Sequence, residues 1–396
     1  MTTEAVLPAS CHSAEPVTHQ YPCGDEAGRL SVDLGAVAAN WRRLSGMYPE
    51  SRVGAVMKAD AYGLGAEYIA PMLAGLGCRE FFVAHLAEGL ALKPLLPADA
   101  SLFVLNGLAP GSEARCAEAG IIPVLNSPEQ ARAWYRLAKE TSRTLPAALQ
   151  VDTGMSRLGL SETELKHVLT QPGDAGSVEL RLLMSHMACA DTPDAVANST
   201  QIARFRRFAE CLPDVPRSLA NSASALSLPD TAGEVLRPGL ALYGIDPGPD
   251  GTAGLQPAVR LDARVIHIRI IPAGAGVGYG FDYVAHSPRR VATISVGYAD
   301  GWPRALSGKG AVWFHGNRLP LLGRVSMDSC VMDITDLPDG ALRPGDLVEL
   351  IGPHQSVSDL ARLLNTTPHE ILTGLGHRFA RSFVNRPPCG AEEKPV

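Results

Sequence analysis

Between Leu30 and about Pro257 the chain alternates short apolar runs with amphipathic segments, roughly eight times over, and this alternation restricts the fold more than any other feature. A strand that returns to its neighbour through a helix must pair parallel to it. Parallel strands are covered on both faces, so they read as unbroken apolar runs. The runs lie at residues 53–57, 81–84, 102–105, 121–125, 147–151, 180–184, 218–220 and 240–243. Among the intervening segments, Ser161 with Glu164 three residues on forms a capping box. Residues 201–212 set Ile202, Phe205, Phe208 and Leu212 on one helical stripe. Eight such units predict an α/β fold, a (β/α)8 TIM-type barrel. The count alone leaves an open doubly wound sheet as the alternative.

After Pro257 the texture changes. Residues 261–271, 290–296, 311–315 and 347–351 are strand-like, separated by turns such as Pro272-Ala273-Gly274 and Arg343-Pro344-Gly345-Asp346. Residues 357–364 form the last helix-like piece. We therefore expect a barrel over 26–258 and a mainly β C-terminal domain over 259–386. Residues 1–25 lack periodicity and read as a disordered extension, and 387–396 as a tail. A chain of 396 residues suits such a division.

A net charge of -6 without a basic run argues against nucleic acid as a partner, and no apolar stretch suggests a membrane span. The first Lys or Arg is Arg29 and no apolar run follows a basic start, so no secretory signal is read. The eight cysteines are scattered without a C-x-x-C pair, which predicts neither a disulfide framework nor a zinc site. The expected compartment is the cytoplasm.

The most informative segment is Val53-Gly54-Ala55-Val56-Met57-Lys58-Ala59-Asp60-Ala61-Tyr62-Gly63-Leu64-Gly65. It puts a lysine at the end of an apolar strand, and the carboxyl ends of barrel strands open onto the active-site face. Desolvation there favours the neutral amine that Schiff-base chemistry requires. An isolated strand-end lysine more often just snorkels to solvent. The following glycine-rich turn and Tyr62 weigh against that reading here.

Lys58-Ala59-Asp60-Ala61-Tyr62-Gly63 resembles the cofactor-lysine motif of the alanine racemases, fold type III pyridoxal-phosphate enzymes. The resemblance continues in order over roughly Leu30 to Arg381. It takes in Asp152-Thr153-Gly154-Met155, Ser185-His186-Met187-Ala188, Ala220-Asn221-Ser222-Ala223, Arg237-Pro238-Gly239-Leu240, Val277-Gly278-Tyr279-Gly280, Gly297-Tyr298-Ala299-Asp300-Gly301 and Ser326-Met327-Asp328.

The resemblance implies pyridoxal 5'-phosphate as cofactor and a small amino acid, alanine first, as substrate. Lys58 would hold the cofactor and act as base on one face of Cα, with Tyr279 acting on the other. His186 would support Tyr279. Arg237 would face the pyridine nitrogen. Because a guanidinium does not yield its proton, that nitrogen would stay unprotonated and the ring a weaker electron sink. Tyr62, Ser222 and the backbone of Gly239 and Leu240 would cup the phosphate, with Asn221 beside them. Arg157 would reach both the cofactor and the substrate carboxylate, while Tyr298 and Met327 would line the substrate entrance. It also implies a homodimer with shared active sites and D-alanine made for peptidoglycan.

Three positions depart from the family pattern. Gln150 stands where many members carry a carbamylated lysine; it could accept a hydrogen bond from Arg157 but carries no charge. Ser326 replaces a frequent cysteine, and His377 falls at a phosphate-contacting tyrosine. Competing readings are a basic-amino-acid decarboxylase, a racemase of serine, lysine or arginine, a non-enzymatic cofactor carrier, and a Schiff-base aldolase. The paired bases and the second domain argue against most of these.

Overall fold

The computed structural model describes residues 26–170, 177–248 and 253–387. The expected N-terminal extension, and the tail beyond its first residue, lie outside the described residues. Seven parallel strands follow one another in chain order: Ala55–Val56, Glu80–Val83, Ser101–Val104, Ile122–Leu125, Leu145–Gln150, Val178–Met184 and Arg217–Ser218. The eighth stave, Val235–Leu236, pairs parallel with Arg52–Val53. Backbone bonds from Gly54 to Leu236 and from Val56 to Pro238 hold one side of it, and Arg237 to Ala220 the other. The sheet therefore curls round on itself as a barrel. Its staves are apolar on both faces because helices cover them; Glu80–Val83 and Ile122–Leu125 are buried throughout.

The helices begin where their sequences say they should. Asp33 caps Leu34–Met47, Ser127 caps Pro128–Thr141 with proline in the first turn, and Ser161 and Glu164 form the expected capping box on Glu162–Leu169. On Val196–Glu210, Phe205 and Phe208 are buried as the stripe predicts, although Leu212 lies just past the helix end.

One strand assignment fails. Leu240–Tyr243, read as the last stave, is a 3-10 turn, and the stave is Val235–Leu236 just before it. All four residues of the turn are buried, so a short apolar run carries no period by which strand and helix can be told apart. The chain is deflected at Gly239, after which the Leu242 amide donates to the Gly239 carbonyl.

The second domain is built on the 13-residue strand Val259–Ile271. It pairs antiparallel with Leu347–Ile351 and with Arg289–Ile294, the register shifting between Val265 and His267. Through Cys330–Asp333, Asn317–Leu322 and Ala311–Phe314 these strands close a ring. Gly28–Asp33, the first of the described strands, also joins this sheet, between Val259–Ile271 and Ala380–Val384.

Helix Pro368–Gly374, which the sequence reading passed over, lies between the two domains. A Cβ on Gly301 would overlap the Gly374 carbonyl oxygen, and Gly376 N–H donates to Asp300. A Cβ on Gly63, beside Lys58, would reach 3.0 Å from the Leu372 oxygen.

Gly301 combines a φ of +87° with that close approach. Gly301→Ala should cost about 2–4 kcal/mol by chemical denaturation. Gly340→Ala, also at positive φ but with nothing within 4 Å, should cost only about 1 kcal/mol. Equal losses would show that backbone conformation alone, not the close approach to Gly374, sets the cost.

Candidate active site

Lys58 follows the first stave directly, and the stave's last ladder bond runs from Met57 N–H to the Phe82 oxygen at 2.7 Å. The next four residues, Ala59, Asp60, Ala61 and Tyr62, all have φ between 52° and 62°. They form a left-handed turn without a glycine, at roughly 1 kcal/mol or more of strain per residue. Side chains and backbone hold it: Glu88 Oε1 accepts from Ala59 N–H at 2.6 Å, Asp60 Oδ1 from Ala66 N–H at 2.7 Å, and the Asp60 carbonyl from Gly65 N–H. The turn buries Tyr62 and leaves Lys58 half-buried, its Nζ 5.9 Å from the Tyr62 ring centroid. Burial, and then Arg157 and Arg237, push the Lys58 ammonium below its ordinary pKa, while Glu88 opposes them.

Tyr62 packs between Tyr243 and His369, with ring centroids at 5.3 and 5.5 Å. Burial raises its pKa, so the phenol remains a donor. Its hydroxyl lies so near Gly239 that a Cβ there would overlap it. Ser222 Oγ accepts from the amides of Gly239 (2.8 Å) and Ala241 (3.2 Å), while Asn221 caps Ser222–Ser227 by accepting from Ser224 N–H. Tyr62, Asn221, Ser222, Gly239 and Leu240 are thus neighbours, and the cradle is made of hydroxyls and amides with no side chain at its floor.

Arg237 is buried, and its Nη atoms donate to the Ser218 carbonyl (2.8 Å), to Ser218 Oγ and to the Ser185 carbonyl (2.6 Å). These are neutral oxygens, and no carboxylate pairs with it among the described residues. Burial lowers its pKa to about 10, which still leaves a cation at neutral pH. His186 stands just beyond Val178–Met184. Burial first, then Arg237, Arg157 and Lys58, depress its pKa to about 3, so the imidazole is neutral. Gln201, buried on Val196–Glu210, fixes this loop: Nε2 donates to the His186 carbonyl and to Thr153 Oγ1, and Oε1 accepts from Ala188 N–H.

Arg157 is exposed on the loop after Leu145–Gln150. Gln150 does not meet its guanidinium; Nε2 donates to the Leu158 carbonyl at 3.3 Å, bracing the loop instead. His377 is exposed, and no hydrogen bond to it is formed among the described residues. The histidine at the site is His369, on Pro368–Gly374. Its signal in the sequence was Thr367-Pro368, a helix start so short that no periodicity follows.

Tyr279, Tyr298 and Met327 lie on the β domain and are 72%, 42% and 53% exposed. Within the chain Tyr279 is not brought against Lys58. Tyr298 and Met327 are held together by bonds from Tyr298 N–H to the Ser326 carbonyl and from Ala299 N–H to the Met327 carbonyl. Behind them Arg378 grips both oxygens of fully buried Asp300 and one of Asp328.

A barrel with a desolvated lysine at a strand's carboxyl end, an amide-lined cradle beside it and an antiparallel domain behind defines a class of barrel enzyme that engages its ligand through an amine. The comparisons name the family. The alanine racemase N-terminal domain matches residues 32–247 and the C-terminal domain residues 258–383. A catabolic alanine racemase of Agrobacterium fabrum is 49% identical over 368 residues, covering 93% of this chain and 95% of that protein. An alanine racemase of Brucella canis is 49% identical over 370 residues, 90% of this chain and 93% of that one. The crystal structure of alanine racemase from Bartonella henselae, with covalently bound pyridoxal phosphate, superposes with a TM-score of 0.86 at 43% identity, covering 90% and 99% of the two chains. The chain belongs to the alanine racemase family, whose members are isomerases. No helix among the described residues is long and apolar enough to cross a membrane.

The unfolded chain takes up a proton on His186 near pH 6.5, whereas the folded chain refuses it until about 3. The unfolded state therefore binds more protons in that window, and stability falls as the pH drops through it. His186→Gln should flatten the fall in denaturation midpoint between pH 6.5 and 4; an unchanged slope would place the imidazole in solvent.

Proposed function

We propose that this protein interconverts L- and D-alanine with pyridoxal 5'-phosphate, using Lys58 and a partner protomer's Tyr279 as bases on opposite faces of the substrate. The observation that carries the reading is the desolvated Lys58 beside a cradle in which Gly239 leaves room for nothing larger. The residues fit the cofactor. Tyr62, Ser222 and the amides of Gly239 and Leu240 suit a phosphate, Asn221 stiffens that wall, and Arg237 suits a ring nitrogen that must not be protonated. Bound, the cofactor supplies an electron sink that acidifies the α-proton of the attached amino acid.

The remaining steps belong to the chain. Lys58 Nζ, its pKa lowered by burial and two guanidiniums, holds the cofactor and moves a proton on one face. Arg157, free of any partner within the described chain, is available to the substrate carboxylate and the cofactor. Tyr279 Oη moves the proton on the other face. A phenol of pKa ~10 needs support to act as base. His186, held neutral, would give that support as a hydrogen-bond partner rather than a positive charge. Two bases are needed because one would tend to return the proton to the face it left.

Exposure supports a homodimer. Tyr279, Phe281 and Ile270 are each about two-thirds or more exposed on the β domain, with Tyr298 and Met327 also uncovered. Large apolar groups gathered this way favour burial against a second copy. Tyr279, Tyr298 and Met327 of one protomer would then complete the site at the partner's Lys58.

The D-alanine formed would supply peptidoglycan. The name of the Agrobacterium relative, a catabolic alanine racemase, favours a second reading in which the same reaction serves alanine breakdown.

The purified protein should absorb as a lysine-bound pyridoxal, and Lys58→Ala should lose that band. In deuterated water L-alanine should exchange its α-proton and yield the D-form, with decarboxylated product contradicting the reading. Lys58→Ala and Tyr279→Phe, each inactive alone by about 10³-fold or more, should recover partial activity when mixed and allowed to exchange subunits; no recovery would overturn the shared site. A deletion strain that requires D-alanine on rich medium supports the peptidoglycan role. One impaired only when alanine is the carbon source supports the catabolic role.

A further inference from the structure

Where the first two staves part, one carboxylate takes over from the ladder. Ala55–Val56 and Glu80–Val83 pair in register, Ala55 with Phe81 and Val56 with Phe82, and the last bond of that seam is Met57 N–H to Phe82. Beyond it the chain enters the left-handed turn, and Ala59 N–H has lost any strand partner. Glu88, in the first turn of the helix Leu86–Leu92, fills the gap. Its Oε2 accepts from Ala84 N–H at 2.7 Å and His85 N–H at 2.8 Å, and its Oε1 accepts from Ala59 N–H at 2.6 Å. A glutamate at this helix position ordinarily closes a capping box on its own helix. Here the second oxygen reaches across to the neighbouring stave and seizes the amide next to Lys58.

We propose that Glu88 is a positioning residue for Lys58: its carboxylate pins the start of the left-handed turn that aims the amine, and supplies the negative charge that steadies it. The proposal rests on reading Lys58 as the reacting amine. Two facts join at this point. The handedness of the backbone reverses between Lys58 and Ala59, so whatever fixes the Ala59 amide fixes the direction in which Lys58 leaves the stave. The charged groups acting on Lys58 are Arg157, Arg237 and Glu88, of which only the last favours its cation. His186 and His369 also face it, both depressed by burial and by Lys58 itself, and so neutral. Without Glu88 the amine would face two guanidiniums unopposed, at the mouth of a strained turn whose first amide, Ala59 N–H, had lost its acceptor. The carboxylate was not singled out in the sequence because a glutamate three residues after a helix start reads as an ordinary cap.

The test uses the full-length chain freed of cofactor, with Glu88→Gln, Glu88→Ala and, as control, the surface variant Glu162→Gln. Acylation of Lys58 by an amine-reactive ester is followed by peptide mass spectrometry across pH, and affinity for added pyridoxal phosphate is measured by absorbance. Glu88→Gln retains an acceptor but not the charge, so its labelling midpoint should move down by about one unit with a small loss of affinity. Glu88→Ala loses both and should show the same downward shift with affinity weakened at least tenfold. Should Glu88→Ala prove unfolded by circular dichroism, the shift in Glu88→Gln carries the decision. Midpoints and affinities equal to the control in a folded variant would overturn the proposal. Labelling reads Lys58 without catalysis, so a parent enzyme that fails to racemise alanine would sink the functional reading and leave this one standing.

Discussion

The site depends on the seam where the barrel's first and last staves meet. Backbone bonds join them there, among them Gly54 to Leu236 and Val56 to Pro238, and just beyond, the Tyr62 hydroxyl lies over the bare backbone of Gly239. The Tyr243 hydroxyl, from the same last segment, reaches back to the Val56 carbonyl. Lysine and cradle therefore sit on opposite lips of one closure. A barrel is a packed core and not a pore, its sites lying at the carboxyl ends of the strands, and at this seam the missing side chain of Gly239 lets the Tyr62 hydroxyl close against the backbone.

Charge is arranged with equal economy. Arg237 is buried among neutral oxygens, and its uncompensated field acts on both Lys58 and His186. Burying a guanidinium without a carboxylate is costly. The arrangement makes sense if a ligand completes it, since an anionic group and a ring nitrogen would relieve what the protein leaves unsatisfied. Burial first, and then the neighbouring guanidiniums, push the lysine below its ordinary pKa and hold the histidine neutral at pH 7.

Much of this was legible in the sequence because function required rare residue choices in order. A lysine at the end of an apolar run, a glycine-rich turn with a tyrosine, and an Arg-Pro-Gly between apolar segments each have a physical reading before any resemblance is invoked. Seven of the eight stave positions were read to within a few residues. Leu240–Tyr243 was misread because a short run buried on every side has no period. Pro368–Gly374, at seven residues, is too short to show a period, so neither the helix nor His369 on it is legible in the sequence. Gln201 and Glu88 act through backbone groups distant in sequence or on an adjoining stave, a relation no linear pattern reveals. Gln150 was read as a partner of Arg157, yet its amide turned toward a carbonyl, since both oxygen and nitrogen were available and only the fold decides between them.

Gly28–Asp33, the first strand among the described residues, belongs to the sheet made by the far end of the chain, with Gly28 opposite Ala263 and Arg29 opposite Ala380. During synthesis this strand leaves the ribosome before the barrel and finds its neighbours last, after the entire barrel has emerged. Its edges must wait unpaired for most of translation, and such high contact order is slow to resolve. Barrel maturation can run ahead on local contacts, while the β domain is sealed only when both ends of the polypeptide are present, so a prematurely terminated chain would have a formed lysine turn with its second domain left unsealed.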